Sequence, residues 1–483
     1  MNRRRFLRAS ALATSAAGAV AAAAPPQSAS APKPDLTVAK DVTRRLARYV
    51  VSARPEDLPD SVRKEATRTL LNWVGCAVGG SRHETVDTAI SALSPFSGPA
   101  QATILGRHER MDVLHAALMN GISSHIFDFD DTHLRTIIHP AGPVASAILA
   151  LAEYRPVSGA DFLHALVLGA EVECRIGNAV YPAHYDVGWH ITGTVGPFGA
   201  AAAAGKLLHL SEQQMVWALS LAATQPVGLR EMFGTMTKSF HPGRAAQNGF
   251  TAALLASRNF TSSNAGIEAS RGWASVLSTA RNYAAITENL GAHYEISENT
   301  YKPFPCGIVI HPAIDGCIQL RNQHNLAAGQ IERVELKVHP LVLELTGRKT
   351  PQAGLEGKFS VYHAVAAALI VGVVGEKQFS DQAVRNPATV ALRERVVAVV
   401  DPAIAEDQVR IVIVMKDQRR LEQYIEHCAG SARNPMTNGQ LEAKFTALAD
   451  GILPPEQTRR LMELCWNIAA LPDAAQVARA AAV

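Results

Sequence analysis

Acidic and imidazole side chains are concentrated between residues 125 and 139, in a stretch that is otherwise apolar. Residues 125–133 contain three carboxylates and two histidines, and His139 follows closely. Such a group can bind a divalent metal ion, or its members can orient one another for proton transfer. Asp128 and Asp130 alternate with phenylalanines, so an extended backbone would place both carboxylates on one face. The alternative is a loop whose carboxylates cap a helix and whose histidines are solvated.

Further basic side chains lie near predicted helix starts. His190 precedes a glycine- and alanine-rich stretch, where it is either a catalytic acid or base or a buried structural histidine. Lys238, His241 and Arg244 are spaced three residues apart, which favours a clamp for the carboxylates of an acidic metabolite or a solvated basic helix face. Lys302 lies in a proline-rich loop that either presents it to a cleft or simply makes a turn.

The sequence carries no cofactor signature. Glycine spacing near residue 190 matches neither a dinucleotide-binding loop nor a phosphate-binding loop. The six cysteines are scattered without a Cys-x-x-Cys pair, which argues against a zinc ribbon or an iron–sulfur cluster. A metal-dependent terpene-cyclase site would need an aspartate where Leu134 follows Asp130 and Asp131. The residues do not exclude a metal hydrolase using Asp128, Asp130 and His133, although the sequence predicts no cofactor.

These side chains must be positioned by a fold that we predict to be mainly α. Residues 38–295 are rich in alanine and leucine and are interrupted by short glycine or proline breaks, which predicts a large all-α domain. Small side chains at this density allow close packing between helices. Four stretches are predicted to form buried helices: residues 144–154, 199–210, 212–223 and 243–257.

The pattern changes after this helical region. Residues 334–339 alternate between apolar and polar side chains and residues 409–415 are continuously apolar, so both are predicted strands. A helix is predicted at 362–374 between them. We therefore predict a smaller α+β domain with antiparallel strands over residues 296–427. Helical periodicity then returns, and we expect residues 428–471 to pack on the helical domain.

The amino terminus differs in charge from the rest of the chain. The 483 residues carry 46 Lys+Arg and 43 Asp+Glu, a net charge of +3, and four of the arginines lie among the first eight residues. A twin-arginine pattern followed by an alanine-rich stretch predicts an export signal and linker over residues 1–33, and hence a periplasmic protein, the alternative being a cytoplasmic one. The nearly neutral remainder argues against a nucleic-acid-binding protein, and no segment is long enough to span a membrane.

Seven segments together resemble the MmgE/PrpD family of 2-methylcitrate dehydratases and cis-aconitate decarboxylases. They are residues 128–133, 188–194, 237–246, 301–307, 358–360, 426–436 and 441–445. The resemblance runs from about residue 40 to about residue 470 in unchanged order. It implies a large helical domain, a smaller α+β lid, a homodimer and an active site between the two domains that uses no metal.

The resemblance also implies roles for individual residues. The catalytic residues that we predict are Asp128, Thr132, His139, His190 and Lys238. The residues that we predict to bind substrate are Arg244, His241, Lys302 and His363. Decarboxylases of the family tend to carry tyrosine where this chain places His363, which favours dehydration over decarboxylation.

The resulting hypothesis is a lyase that eliminates water from a hydroxylated di- or tricarboxylate. Removing a proton next to a carboxylate creates an enediolate-like charge, which the basic residues would stabilise. His190 or Asp128 would move the proton, and its partner would protonate the departing hydroxide. The alternatives are a racemase, an epimerase or a decarboxylase using the same site, and an exported protein that binds a polycarboxylate without turnover.

Overall fold

The structure is a computed structural model that describes residues 40–483, so the predicted signal and linker lie outside the described residues. The described part is mainly helical, as the sequence predicts. Within it, no helix combines the length and the apolar character that crossing a membrane requires.

The first part of the fold is a helical assembly with short strands. Its helices and strands are α1 Val42–Ser52, α2 Asp60–Gly80, α3 Glu84–Leu93, β1 Ala102–Thr103, β2 Arg110–Met111, α4 Val113–His125, β3 Asp131–His133, α5 Ala141–Tyr154, α6 Gly159–Val180, α7 Ala183–Asp186, α8 Ile191–Leu207, α9 Glu212–Ala223, α10 Met236–Ser257, α11 Trp273–Leu277 and α12 Ala284–Thr287. The four predicted buried helices correspond to α5, α8, α9 and α10. Helix α9 has the predicted bounds.

The prediction of an all-α first domain was wrong in one respect, because this region contains short β-pairs. Strands β1 and β2 form an antiparallel pair around a turn in which Gly106 has a φ of 72°. Strand β3 pairs antiparallel with β4 Asn299–Tyr301. Strands of two or three residues are too short to show a period-two pattern in the sequence.

A close crossing of α4 and α10 sets the position of the polar residues on both helices. A Cβ atom added to Gly121 would lie 2.4 Å from the Cα of Gly243, so neither position has room for a side chain. Glycine allows the two backbones to meet here. One helical turn beyond Gly121 lies His125, and Lys238 lies five residues before Gly243. The crossing therefore brings the imidazole and the ammonium group together.

The second part contains a four-stranded sheet. Its remaining elements are α13 His311–His324, β5 Ile331–Val338, α14 Pro340–Thr346, α15 Gly354–Gly357, α16 Val361–Val371, α17 Asp381–Arg385, α18 Pro387–Arg393, β6 Val396–Val400, β7 Val409–Met415 and β8 Arg420–Ile425. The strand order is β6-β5-β7-β8. Helices α13 and α16 pack against each other and share an apolar cluster with the sheet.

Three predicted elements of this part are confirmed, and one feature differs. Strand β7 has the predicted bounds, while β5 and α16 overlap the other predicted strand and helix. Strands β5, β7 and β8 are antiparallel to their neighbours among these three. Strand β6 runs parallel to β5, because a long helical connection carries the chain back to the end of the sheet at which β5 begins. Strand β6 was not predicted, although all five of its residues are apolar.

The chain ends in the helices α19 Asn438–Ala449, α20 Pro455–Trp466 and α21 Ala475–Ala480. Helices α19 and α20 contact α2 in the first part. Phe445 packs closely on Gly75, where an added Cβ would lie 2.9 Å from the Phe445 ring. Leu441, Phe445 and Leu461 belong to the same apolar cluster as α2, α4 and α5. The carboxyl-terminal segment therefore contributes to the core of the first part.

Candidate functional site

Asp128 lies in the loop between α4 and β3, with its backbone in the left-handed region. Its φ is 50°, and its amide donates a hydrogen bond of 2.9 Å to the carbonyl oxygen of His125. Aspartate tolerates this conformation better than most residues do, but it still requires support from its surroundings. The residue is 3% exposed. The loop thus places a carboxylate inside the protein.

Two lysine ammonium groups bind the same oxygen of Asp128. Lys238 Nζ on α10 lies 2.8 Å from Asp128 Oδ1, and Lys302 Nζ, just after β4, lies 2.8 Å from the same atom. Lys238 also contacts His125 Nε2 at 2.9 Å. The Lys238 ammonium lies 5.2 Å from the centre of the Phe233 ring and 5.4 Å from that of Phe359, which adds cation–π attraction. Two positive charges therefore share one carboxylate in a buried setting.

Charges around Asp128 determine its protonation. Burial alone would raise the pKa of Asp128, but the ammonium groups of Lys238 and Lys302 outweigh it and hold the pKa well below its usual range. Burial lowers the pKa of Lys238, and the carboxylate of Asp128 opposes this shift. Asp128 is thus ionised at neutral pH and is a weak base. Its role in this arrangement is to hold two cations.

A second carboxylate holds two imidazoles beside this group. Asp130 Oδ2 lies 2.7 Å from His125 Nδ1, and Asp130 Oδ1 lies 3.5 Å from His139 Nδ1. His139 Nδ1 also lies 2.7 Å from the carbonyl oxygen of Asp131 and 3.3 Å from Thr132 Oγ1. Burial lowers the pKa of His139 to about 3, although Asp130 opposes the shift. His139 is therefore neutral at physiological pH and able to accept a proton.

His190 is the residue immediately before α8, and it faces His241 on α10. Their Nδ1 atoms are 2.9 Å apart, so one ring donates and the other accepts. Burial, reinforced by His241 and Lys238, lowers the pKa of His190 well below its usual value. Burial likewise lowers the pKa of His241 to about 3. The hydrogen bond between them fixes the orientation of the His190 ring.

These groups surround a small cavity of about 30 Å³. The polar groups on its wall are Asp128, His139, His190, Lys238 and Lys302. The remainder of the wall is mostly apolar and comes from both parts of the fold: Ile137, Tyr185, Phe233, Gly307, Ile308, Val309, Leu345, Thr346 and Phe359. A few convergent polar groups in an apolar enclosure are typical of a small-molecule site. The wall carries two ammonium groups and one carboxylate, which suits an anionic ligand.

Five predicted residues therefore converge on the cavity, and four others do not line it. Thr132 is buried and contacts His139, and His241 lies behind His190. Arg244 is exposed, and its guanidinium donates to Gln247. Its prediction as a residue of this cavity was wrong, because the face of α10 that is buried here carries Lys238 and His241.

His363 was also misplaced. It is buried in α16, where Nε2 lies 2.8 Å from the carbonyl oxygen of Gln378 and the ring meets Phe379 edge-on. Burial lowers the pKa of His363 to about 4. His363 is a core residue of the second part, so its identity does not change the wall of the cavity. The sequence argument against decarboxylation therefore loses its structural basis.

The hypothesis of a metal site built on His133 was wrong. His133 Nδ1 bonds to Thr136 Oγ1 at 2.7 Å, and Nε2 lies 3.0 Å from Glu295 Oε2, so both nitrogens are engaged elsewhere. The donor atoms of His125, Asp128, Asp130 and His139 do lie within 4.8 Å of one another. The Lys238 ammonium already occupies the approach to two of these donors, and a divalent ion would have to displace it.

Sequence reasoning did not single out several residues of the site. His125 was recognised only as a member of the polar cluster, and Asp130 only as a member of it and a candidate metal ligand, although the two connect Lys238 to His139. Phe233 and Tyr185 lie in none of the segments that the sequence singled out. Phe359 lies in the segment 358–360 that resembles the family, and this was the one sequence signal that could have identified it.

Comparisons with known proteins agree over most of the chain. The MmgE/PrpD N-terminal domain matches residues 44–285, and the MmgE/PrpD C-terminal domain matches residues 304–468. The cis-aconitate decarboxylase-like protein oryM of Aspergillus oryzae is 26% identical over 92% of this chain and 98% of its own length. Human cis-aconitate decarboxylase is 26% identical over 90% and 93% of the two chains. The 2-methylcitrate dehydratase of Salmonella typhimurium is 22% identical over 90% and 96%.

Proposed function

The chain belongs to the MmgE/PrpD family, and we propose that it is a metal-independent lyase acting on a small di- or tricarboxylate in the cavity beside Asp128. The observation that carries this proposal is the sharing of Asp128 Oδ1 by the ammonium groups of Lys238 and Lys302. Buried cations that are already in place can stabilise negative charge as it develops on a substrate, without reorganisation. The relatives that resemble the chain are lyases of carboxylates.

Decarboxylation of an unsaturated tricarboxylate is the first candidate reaction, because relatives named for it are 26% identical over nearly the whole chain. Breaking the bond between carbon and CO2 leaves an electron pair on carbon, and this pair takes up a proton. The Lys238 ammonium lies on the cavity wall and is a suitable donor, while Lys302 stabilises the charge on a neighbouring carboxylate. Asp128 keeps both ammonium groups in place.

Dehydration of a hydroxylated carboxylate is the second candidate, because relatives named for it match at 22% identity. In this reaction a base removes the proton next to a carboxylate, and the departing hydroxide takes a proton from an acid. The Asp128 carboxylate is engaged by the ammonium groups of Lys238 and Lys302, which makes it unsuitable as the base. His190 or His139 takes that role, since both rings are neutral and line the cavity.

Substrate entry requires the site to open. A cavity of about 30 Å³ is far below the several hundred Å³ of ordinary ligand sites. The second part supplies Gly307, Val309, Leu345 and Phe359 to the wall. We propose that this part acts as the lid that the sequence predicts, moving away to admit the substrate and closing to exclude water. The boundaries 38–295 and 296–427 stay predictions.

The experiment is incubation of the purified protein with a panel of unsaturated and hydroxylated di- and tricarboxylates in deuterated water, followed by ¹H NMR. Loss of CO2 or of water from one substrate supports the lyase. Proton exchange without a product indicates a racemase or an epimerase, and line shifts alone indicate a binding protein. Either of these results rejects the proposal.

Two variants and a chelator make the test specific to this site. Lys238→Met removes a cation from the cavity and should lower kcat/KM by about 100-fold or more. Lys206→Met is the control, because it removes an ammonium group that donates to two backbone carbonyls at the far end of α8, away from the cavity. A metal chelator should leave the rate unchanged. Loss of activity on chelation, with recovery on adding a divalent metal, would support a metal enzyme instead.

We also propose that the mature protein is an exported, periplasmic homodimer. The basis is the twin-arginine pattern within residues 1–33 and the family resemblance. Cell fractionation with and without substitution of Arg4 and Arg5 tests the export, and light scattering during size-exclusion chromatography tests the dimer. A cytoplasmic protein or a monomer would reject the respective proposal.

A further inference from the structure

Three consecutive backbone carbonyls in the Asp128 loop are each bound by a different buried lysine. Lys358 Nζ donates to the carbonyl oxygen of Phe127 at 2.9 Å. Lys302 Nζ donates to that of Asp128 at 3.1 Å, and Lys444 Nζ donates to that of Phe129 at 2.6 Å. These lysines come from three separate segments of the chain, so the loop is held from three directions. Their exposed fractions are 1%, 1% and 8% for Lys302, Lys358 and Lys444.

The same three ammonium groups also bind the loop that carries Lys302. Lys358 donates to the carbonyl of Pro305 at 2.9 Å, and Lys302 donates to that of Cys306 at 3.2 Å. Lys444 donates to the carbonyl of Lys302 itself at 2.9 Å. The lysines therefore cross-link residues 127–129 to residues 302–306. We call Lys302, Lys358 and Lys444 the lysine clamp.

Lys444 has the least obvious reason to be buried. Its three acceptors are the carbonyls of Phe129 and Lys302 and the side-chain oxygen of Asn72, and none of them is a carboxylate. Burial of an ammonium group without a counter-ion is unfavourable, even though the Phe129 ring lies 3.8 Å from Nζ. Its three N–H donors match three acceptors from three segments. Such an arrangement fixes the three segments relative to one another, and its cost is the removal of the ammonium group from water.

We propose that Lys358 and Lys444 are positioning residues that hold the carboxylate of Asp128 and the ammonium of Lys302 in the geometry needed for reaction. Asp128 keeps its left-handed backbone because the carbonyls on both sides of it are bound. Lys358 belongs to the second part, so closure of the lid completes the clamp. The catalytic consequence rests on the proposed function, whereas the structural consequence does not.

Hydrogen exchange of the full chain, followed by mass spectrometry, tests the structural step without a substrate. Lys444→Met and Lys358→Met should each speed amide exchange within residues 126–133 by about tenfold or more, relative to the wild type. Lys206→Met is the control and should leave that segment unchanged. If Lys444→Met does not fold, Lys444→Gln takes its place in the same exchange measurement, because the glutamine amide still offers an N–H donor to the carbonyl oxygen of Phe129. Unchanged exchange at 126–133, or equal acceleration along the whole chain, would overturn the proposal.

Kinetics on the substrate identified for the lyase test the catalytic step. Lys444→Met should lower kcat by about 10- to 100-fold and change KM less than about threefold, because a displaced Asp128 affects the reaction more than binding. In an Asp128→Asn background the same substitution should have less than about a threefold further effect, since both act through one carboxylate. If the double variant instead loses kcat by the product of the two separate factors, the proposal is overturned. If the wild type turns over no carboxylate, the lyase proposal fails while the exchange result still stands.

Discussion

Replacing Asp128 with asparagine removes the carboxylate that Lys238 and Lys302 share, and its effect on stability can be worked out from the structure. Both Nζ atoms lie 2.8 Å from the same oxygen, so they are at most about twice 2.8 Å, or 5.6 Å, apart. Two unit charges about 5 Å apart repel each other by about 3 kcal/mol at an effective dielectric constant of about 20. Removing one partner of a buried ion pair typically costs about 3–5 kcal/mol. We therefore expect Asp128→Asn to be destabilised by several kcal/mol.

Thermal unfolding can detect a change of this size. An unfolding entropy of about 2.1 cal/mol/K per residue gives about 0.9 kcal/mol/K for a chain of roughly 450 residues, or about 1 °C per kcal/mol. Asp128→Asn should thus lower Tm by about 3–5 °C. Adding Lys238→Met removes the repulsion, and the double variant should recover about 2–3 °C, since Lys302 still donates to two carbonyl oxygens.

The control is Lys206→Met, introduced into the wild type and into Asp128→Asn. Its effect on Tm should be the same in both, because Lys206 lies at the far end of α8 and has separate partners. A double variant Asp128→Asn/Lys238→Met that is less stable than Asp128→Asn would refute the reasoning. So would an Asp128→Asn protein with an unchanged Tm.

Three further predictions concern protonation and closure. Neither oxygen of buried Glu173 has a hydrogen-bond partner among residues 40–483, and burial raises its pKa well above the usual 4.5. The folded state keeps this proton while the unfolded chain loses it, so the wild type loses stability as pH rises. Glu173→Gln should gain about 1.4 kcal/mol over wild type per pH unit between pH 5 and 7 in denaturant unfolding, and a constant difference would contradict this. Binding of an unreactive tricarboxylate at pH 7 should take up well under one proton, because burial holds the pKa values of His139 and His190 so low that both rings stay neutral, as the role of base requires; calorimetry in two buffers measures the uptake, and uptake of a full proton rejects the assignment. The ion pair of Arg230 with Glu344 joins the two parts but is partly exposed. Glu344→Gln should therefore change kcat/KM less than about fivefold. A larger loss would show that this ion pair is needed to hold the two parts together during the reaction.

Much of the site was predictable from the sequence, for a physical reason. Asp128, His139, His190, Lys238 and Lys302 are polar residues in mainly apolar surroundings, and burying such groups is unfavourable unless they find partners. The family resemblance implied that the fold would bring them together, and all five line one cavity. The helical character of the first part was predictable in the same way, because apolar periodicity reflects burial.

Other features required the tertiary structure. His241 and Arg244 follow Lys238 on α10 at equal intervals of three residues, so the sequence does not distinguish them. In the structure His241 is buried behind His190, whereas Arg244 is exposed. The packing of α10 on its neighbours, with the close approach of Gly121 and Gly243, decides which face is turned inward.

The sequence by itself determined which residue types this protein has to bury and roughly where its helices lie, because both depend on local pattern. Only the tertiary structure decided that Lys358 and Lys444 join Lys302 in a clamp around Asp128. It also decided that His363 lies in the core of the second part, away from the cavity. Contacts between residues hundreds of positions apart depend on how helices and loops pack, and packing is a property of the whole chain.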